Sequence, residues 1–281
     1  MKFFGLCLMI VGLVFVHEGQ PYPSKSIVLH PPDSKSVRNY FVALANMLYE
    51  IYGKVKGNGK PSKGGGGKVF KNCKELRKRG FKQSGVYTID PDGKGRFKVY
   101  CDQKTDGGGW TVFQKRQDGS VNFYRGWNDY KNGFGDLKGE FWLGLDKIKR
   151  LTHQRRNRLR VDLEDTKGKT AYAEYDYFAV ASERAKYSLS LGSYKGTAGD
   201  SLSGHRGIPF TTKDRDNDKS SGSNCAVQFK GAWWYNACHS SNLNGLYHHG
   251  KHKSYADGVN WYHWKGHYYS AKRAEMKIRP V

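Results

Sequence analysis

Cys225-Ala-Val-Gln-Phe-Lys-Gly-Ala-Trp-Trp-Tyr-Asn-Ala-Cys238-His239 is the stretch on which the reading of this chain turns. Two cysteines enclose a short loop that carries Phe229, Trp233, Trp234 and Tyr235, a large apolar payload in a segment with neither helical nor strand period. Immediately upstream, Asp214-Arg-Asp216-Asn-Asp218 packs three carboxylates into five residues, and the polar turn Lys219 to Asn224 follows. Alternating carboxylates can converge on one hard cation. With oxygen donors only, and carbonyls available from the next turn, calcium suits them better than zinc or magnesium. The segment is not an EF-hand, because Lys219 and Cys225 stand where that loop needs glycine and glutamate. The plainer alternative is a solvated acidic turn.

Outward from this stretch, residues 192–270 show no lasting period and are dominated by Gly, Asn, Ser and aromatics. A loop region of that length is usually functional. On either side the pattern is of short one-sided strands. Phe97, Val99 and Cys101 alternate with polar residues, Leu159, Val161 and Leu163 alternate with Arg158, Arg160, Asp162 and Glu164, and Met276 and Ile278 alternate near the end. Asp146 is placed to cap a helix carrying Ile148 and Leu151.

The amino-terminal third reads differently. Lys2 and the apolar run Phe3 to Val16 match a secretory signal peptide over residues 1–20, too short to span a bilayer. Residues 21–56 begin with an extended proline-rich segment. There follow Val37, Phe41, Leu44, Leu48, Ile51 and Val55 at alternating spacings of four and three, the seam of an amphipathic helix suited to homo-oligomer formation or to docking on its own domain. Residues 57–71 form a Gly/Lys-rich linker, and residues 72–281 form the main domain. The chain is expected to be secreted, with no membrane span. Once the signal with Cys7 is removed, Cys73, Cys101, Cys225 and Cys238 remain. In an oxidising compartment they read as two disulfides, and the pairing of nearest cysteines closes the smallest loops.

The 281 residues include 7 Trp, 19 Tyr and 14 Phe, which excludes a disordered tail, and 48 Lys and Arg against 25 Asp and Glu give a net charge of +23. Residues 73–281 alone hold +16. The densest cluster, Lys147, Lys149, Arg150, Arg155, Arg156, Arg158 and Arg160, reads either as a solvated face or as a patch for anionic microbial surfaces and sulfated glycans.

The stretch from Cys225 and the Ser-Ser-Asn-Leu-Asn-Gly after it combine with Asn72-Cys73, Gly107-Gly-Gly-Trp110-Thr-Val, Gly139-Glu-Phe-Trp142-Leu-Gly and Glu275-Met-Lys-Ile278-Arg-Pro. Together these motifs resemble the fibrinogen-related domain across residues 72–281, and within it the ficolins, tachylectins and related acetyl-group-binding lectins. The resemblance implies an α+β globular domain with a central antiparallel sheet and a loop-rich calcium- and ligand-binding subdomain. It implies disulfides Cys73–Cys101 and Cys225–Cys238, and Ca2+ on Asp216 and Asp218 with backbone oxygens near Ser220 and Gly222. One extra residue separates Asp218 from Cys225 relative to the usual spacing. It also implies a cis Ala237–Cys238 peptide, backbone N–H groups of Cys238 and His239 facing an acetyl oxygen, and a methyl pocket walled by Phe229, His239, Tyr255, Ala256 and His267. The two carboxylates with which fibrinogen receives a cationic peptide align with Phe229 and Ala256, so an uncharged acetyl group suits this pocket better. The implied partners are acetylated carbohydrates. The Gly-x-y repeat of a collagen stalk does not occur, and nucleic acid is not expected as a partner.

Two other patterns compete for attention. Six of ten histidines lie between His239 and His267, including His248-His249-x-x-His252 and His263-x-x-x-His267. Without a helical period these read as hydrogen-bonding or stacking groups rather than zinc ligands, and near a pocket they could weaken binding in acid. Gly199-Asp200-Ser201-Leu202 reproduces an esterase tetrapeptide, but the strand-helix context and a histidine base are missing from the pattern, so the chain reads as non-enzymatic.

Overall fold

Alternation in two eight-residue segments sets the centre of the fold. The structure is a computed structural model and describes residues 69–281. The expected signal peptide 1–20, the segment and helix of 21–56 and residues 57–68 of the linker lie outside the described residues. In chain order the strands are β1 (Gly85–Ile89), β2 (Phe97–Asp102), β3 (Trp110–Arg116), β4 (Phe134–Gly135), β5 (Phe141–Trp142), β6 (Asn157–Glu164), β7 (Thr170–Tyr175), β8 (Phe178–Val180), β9 (Leu189–Leu191), β10 (Tyr194–Gly196), β11 (Ser241–Asn242), β12 (Gly250–Lys251), β13 (Asn260–Trp261), β14 (Tyr269–Ser270) and β15 (Arg273–Pro280). The nine-stranded sheet runs β1-β2-β3-β15-β6-β7-β10, with β5 on β3 and β4 on β5, and its pairs are antiparallel. The last strand in sequence therefore lies in the middle of the sheet. The fold is mixed α+β.

In β6 the period of two holds: Leu159, Val161 and Leu163 are buried, while Arg158, Arg160, Asp162 and Glu164 face the other side. In β15 the polar face is buried as well. Lys277, 1% exposed, has its ammonium 2.8 Å from Asp102 and Glu275 and 2.9 Å from Asp162. Burial pulls that lysine down, but the carboxylates of Glu275, Asp162 and Asp102 outweigh it and hold it above the ordinary lysine range.

Three helices precede the loop region. Asn72 caps Cys73–Lys78 by accepting from Glu75 N–H at 3.0 Å, and the Cys73–Cys101 disulfide fastens that helix to β2. Phe70, assigned to the end of the linker, instead joins the domain: its ring meets Phe81 at 5.5 Å and its carbonyl accepts from Asp90 N–H. The second helix, Trp127–Asn132, buries Trp127 and Tyr130. The third, Leu145–His153, buries Leu145, Ile148 and Leu151 and packs on β8. Its cap is Gly144 rather than Asp146. At φ 106 a Cβ there would meet Asn132 backbone at 2.6 Å, so glycine is required, and Asp146 in the first turn accepts from the Tyr187 hydroxyl at 2.6 Å.

The loop region of residues 192–270 contains only short elements, among them the helices Cys225–Gln228 and Tyr262–Lys265. Its buried floor is aromatic: Trp233, Trp234, Tyr235 and Trp261 are at most 1% exposed.

Candidate functional site

The acidic segment does not close as one cage of three carboxylates. Asp214 is committed elsewhere, accepting from Trp127 N–H at 2.9 Å and from the Thr212 hydroxyl at 2.7 Å. It thereby serves the first turn of Trp127–Asn132. Asp216 and Asp218 stay together. Asp216 accepts from Asp218 N–H at 3.2 Å, and Asp218 accepts from Ser220 N–H at 2.9 Å and Cys225 N–H at 2.8 Å. Burial, with the neighbouring Asp216 charge, raises the Asp218 carboxyl above its ordinary range despite those donors. The carbonyls of Ser220 and Gly222 accept no hydrogen bond from the described residues. Two crowded carboxylates beside free carbonyls on one turn form an oxygen-only set whose repulsion a hard divalent cation would relieve, so the residues fit Ca2+.

That turn is tied directly to the aromatic loop. Asn224 caps Cys225–Gln228, accepting from Ala226 and Val227 N–H, and its amide donates to Thr212 O at 3.1 Å. The Cys225–Cys238 disulfide and a hydrogen bond from Lys219 N–H to Asn236 O at 2.9 Å link the two arms. The Ala237–Cys238 peptide is cis. Among the described residues, the N–H groups of Cys238 and His239 donate to no protein acceptor.

Beside those two donors the structure brings Phe229, His239, Tyr255, Ala256 and His267 together. Phe229 meets His239 edge to face at 4.6 Å and Tyr255 at 6.5 Å, while His267 meets His239 at 5.6 Å and Tyr255 at 5.2 Å. His239 Nε2 donates to Ala256 O at 3.0 Å, and Ala256 N–H donates to His267 O at 3.2 Å. Asn242 braces both walls, its amide donating to Phe229 O at 3.0 Å and Ala256 O at 3.4 Å. Burial, reinforced by His205 and His267, pushes His239 down to about 3, and burial also lowers His267. His239 therefore stays neutral in the folded cup through mild acid. With Nε2 donating, its buried Nδ1 is an acceptor without a protein partner.

Spacing alone missed Tyr262 and Tyr268. Both are about half exposed, and they extend the cup outward: Tyr262 lies 4.7 Å from the His267 ring and Tyr268 lies 5.5 Å from Tyr255. The only hint in the sequence is the aromatic density of residues 255–269.

The rival patterns resolve individually. His248, His252 and Asp257 do gather, with possible ligand atoms within 4.8 Å of one another. However, the Asn260 amide donor faces His252 Nε2 at 3.4 Å, which leaves the proton on Nδ1, directed at Ser254 and Asp257. The cluster is a hydrogen-bonded network. Contrary to the sequence pattern, Ser201 does have a histidine beside it: His263 Nδ1 lies 2.9 Å from its hydroxyl. Yet Ser201 is 1% exposed and accepts from His263 N–H, and Asp200 is turned to Tyr175 and to the turn after it, so no accessible nucleophile results. The linear basic cluster is also divided. Arg150 pairs with Asp92 and Asp90, Arg160 with Asp162 and Glu174, and Arg156 with Asp176.

With this geometry in place, the comparisons define the class. The family described as fibrinogen beta and gamma chains, C-terminal globular domain, matches residues 69–281. The chain belongs to that family. It is 55% identical to ryncolin-4 of Cerberus rynchops over 211 residues, 75% of this chain and 61% of that protein. It is also 55% identical to human fibrinogen C domain-containing protein 1 over 74% of this chain and 46% of the relative, and 52% identical to Gallus gallus tenascin-R over 76% and 16%. The chain thus spans less than two thirds of these relatives. Among solved structures, the fibrinogen-like globe domain of human ANGPTL2 superposes with a TM-score of 0.74 at 48% identity, covering 75% of this chain and 99% of that one. Lamprey fibrin D-dimer, complexed with Gly-His-Arg-Pro-amide, gives 0.72 at 34% identity over 88% and 86%. None of the described helices is long and apolar enough to cross a membrane.

Proposed function

We propose that this protein is a secreted, calcium-dependent, non-enzymatic lectin for N-acetylated glycans, acting in recognition of microbial surfaces. The observation that carries the reading is the pair of unpartnered N–H groups at Cys238 and His239 beside a neutral aromatic cup. An acetamido group complements this arrangement, its carbonyl accepting from the two donors and its methyl lying among Phe229, Tyr255, Ala256 and His267. Burying that methyl contributes about 0.8 kcal/mol.

A cationic peptide such as the one in the lamprey complex finds no counter-charge at Phe229 or Ala256, so its desolvation goes uncompensated. Ca2+ on Asp216 and Asp218, with the carbonyls of Ser220 and Gly222, neutralises the paired carboxylates and holds the turn that the Cys225–Cys238 bridge joins to the cup. Tyr262 and Tyr268 offer exposed faces to the rest of a sugar ring. One such site binds with about millimolar affinity, and association through the Val37 to Val55 heptad segment would supply avidity.

Calorimetric titration of the full chain with N-acetylglucosamine tests the reading. Binding is expected with Ca2+ and lost with EDTA or in Asp218→Asn, while glucosamine, which lacks the acetyl group, does not bind. Equal binding of the two sugars would sink it.

A further inference from the structure

We propose a second ligand site, a cationic cleft at one end of the polar face of β6 and β15 that takes a linear sulfated polysaccharide. It shares no residue with the acetyl cup and stands whether or not that reading survives. The cleft, of about 520 Å³, is lined by Lys74, Arg77 and Lys78 from the helix Cys73–Lys78, Arg158 from β6 and Arg279 from β15.

The antiparallel register sets two like-charged pairs in one ladder, Lys277 opposite Arg160 and Arg279 opposite Arg158. Like charges directly across a ladder are destabilising, so each pair calls for compensation. The first receives it from Asp102, Asp162, Glu275 and Glu174. The second receives it on one side only: Asp106 pairs with Arg279, whereas Arg158 and Lys78 make no salt bridge among the described residues. Three cations are held in place by neutral carbonyls, Lys74 on Pro280, Arg77 on Gln103 and Arg279 on Asp106 and Gly108, with Arg279 also 4.2 Å above the Trp110 ring. These bonds orient the side chains without neutralising Lys74 or Arg77, while Arg279 has the Asp106 carboxylate as well. Burial, then Lys78, Arg279, Arg158 and Arg155, lowers Lys74 from the ordinary lysine range, as uncompensated positive potential should.

Charge complementarity requires an anion. Because the cations come from three separate elements, a polymer with repeated fixed charges engages more of them at once than a single phosphate can. Sulfate groups stay ionised throughout the working pH range, and the guanidinium fork of Arg158, which has no partner among the described residues, matches their oxygens.

The test uses the full chain and a heparin-derived oligosaccharide in surface plasmon resonance at about 0.15 M NaCl, with EDTA and excess N-acetylglucosamine present to silence the other pocket. Lys78→Glu with Arg158→Glu is expected to weaken binding at least about tenfold, while Lys251→Glu with Lys253→Glu, equal in charge change but elsewhere, shifts it less than about twofold. Thermal midpoints confirm that both variants fold. Equal loss in the two double variants would overturn the proposal in favour of diffuse attraction by net charge. Displacement of the oligosaccharide by equimolar inorganic phosphate, or equally tight binding of a single-stranded DNA of the same length, would overturn the choice of ligand.

Discussion

The central sheet and the loop region of residues 192–270 face one problem, a buried backbone that must find hydrogen-bond partners, and solve it differently. In the sheet, β15 is paired along both edges, with β3 and β6, so the ladder itself supplies the partners. In the loops a few buried polar side chains do so. Gln114 and Arg116 reach out of β3 to Leu243 O, at 2.9 and 3.1 Å, and Arg116 also donates to Gly245 O at 2.7 Å. Asn242, Asn244 and Asn260 donate to Phe229, Ala232 and Tyr269 carbonyls at 3.0, 3.0 and 2.9 Å. A ladder tolerates changes of side chain because its donors are backbone. A loop scaffold of this kind depends on particular residues, and one of them, Asn242, braces the candidate site.

Arg116 gives the strongest test of that difference. It is 1% exposed, its guanidinium lies 3.5 Å from buried Glu140 and 4.0 Å from the Phe123 ring, and it holds two loop carbonyls. Arg116→Met leaves a buried carboxylate without its counter-charge and is expected to cost about 3–5 kcal/mol in urea unfolding. Ile278→Val in the sheet core should cost only about 0.5–1.5 kcal/mol. Similar losses in the two variants would erase the distinction.

Asn242→Ala comes next, with an expected loss of about 1–3 kcal/mol for the Phe229 carbonyl and the buried Tyr235 hydroxyl left unpaired. Because Asn242 braces both Phe229 and Ala256, N-acetylglucosamine binding should weaken as well, and calorimetry on the variant reads this directly. Unchanged sugar binding would detach the scaffold from the site.

The same difference explains what was legible in the sequence. Period two identified β6 because a one-sided strand writes its burial locally. It identified β15 only in part, since the buried Lys277 and Glu275 look exposed until Asp102 and Asp162 are brought beside them. The Cys225–His239 stretch marked the site because its aromatic and cysteine content is concentrated. Asp214 read as a metal ligand by spacing, yet its partner Trp127 lies 87 residues away. His263 beside Ser201, at a separation of 62 residues, was missed for the same reason. Spacing encodes partners within a turn or a strand, while a loop scaffold is assembled from distant segments.

Mild acid should separate the two regions with the smallest effect. In the sheet, burial works against it, but Lys277 and nearby hydrogen-bond donors hold the Asp102 carboxyl far below its ordinary range, and Lys277 and Arg273 lower Glu275, so neither protonates near neutrality. The loop region instead buries neutral histidines, His205 with a pKa pushed by burial down to about 4 and His239 down to about 3. A folded pKa below the unfolded value of about 6.5 means stability that is present above pH 6.5 and lost as pH falls. Each histidine removes at most about 1.4 kcal/mol per pH unit below 6.5, hence under about 1 kcal/mol at pH 6. Hydrogen exchange compared at pH 7 and pH 6, after correction for intrinsic rates, should show amides around His205 and His239 losing protection while β6 and β15 keep theirs. A uniform loss across both regions would mean that the loops and the sheet open as one unit, and that the two ways of satisfying the backbone do not differ in stability.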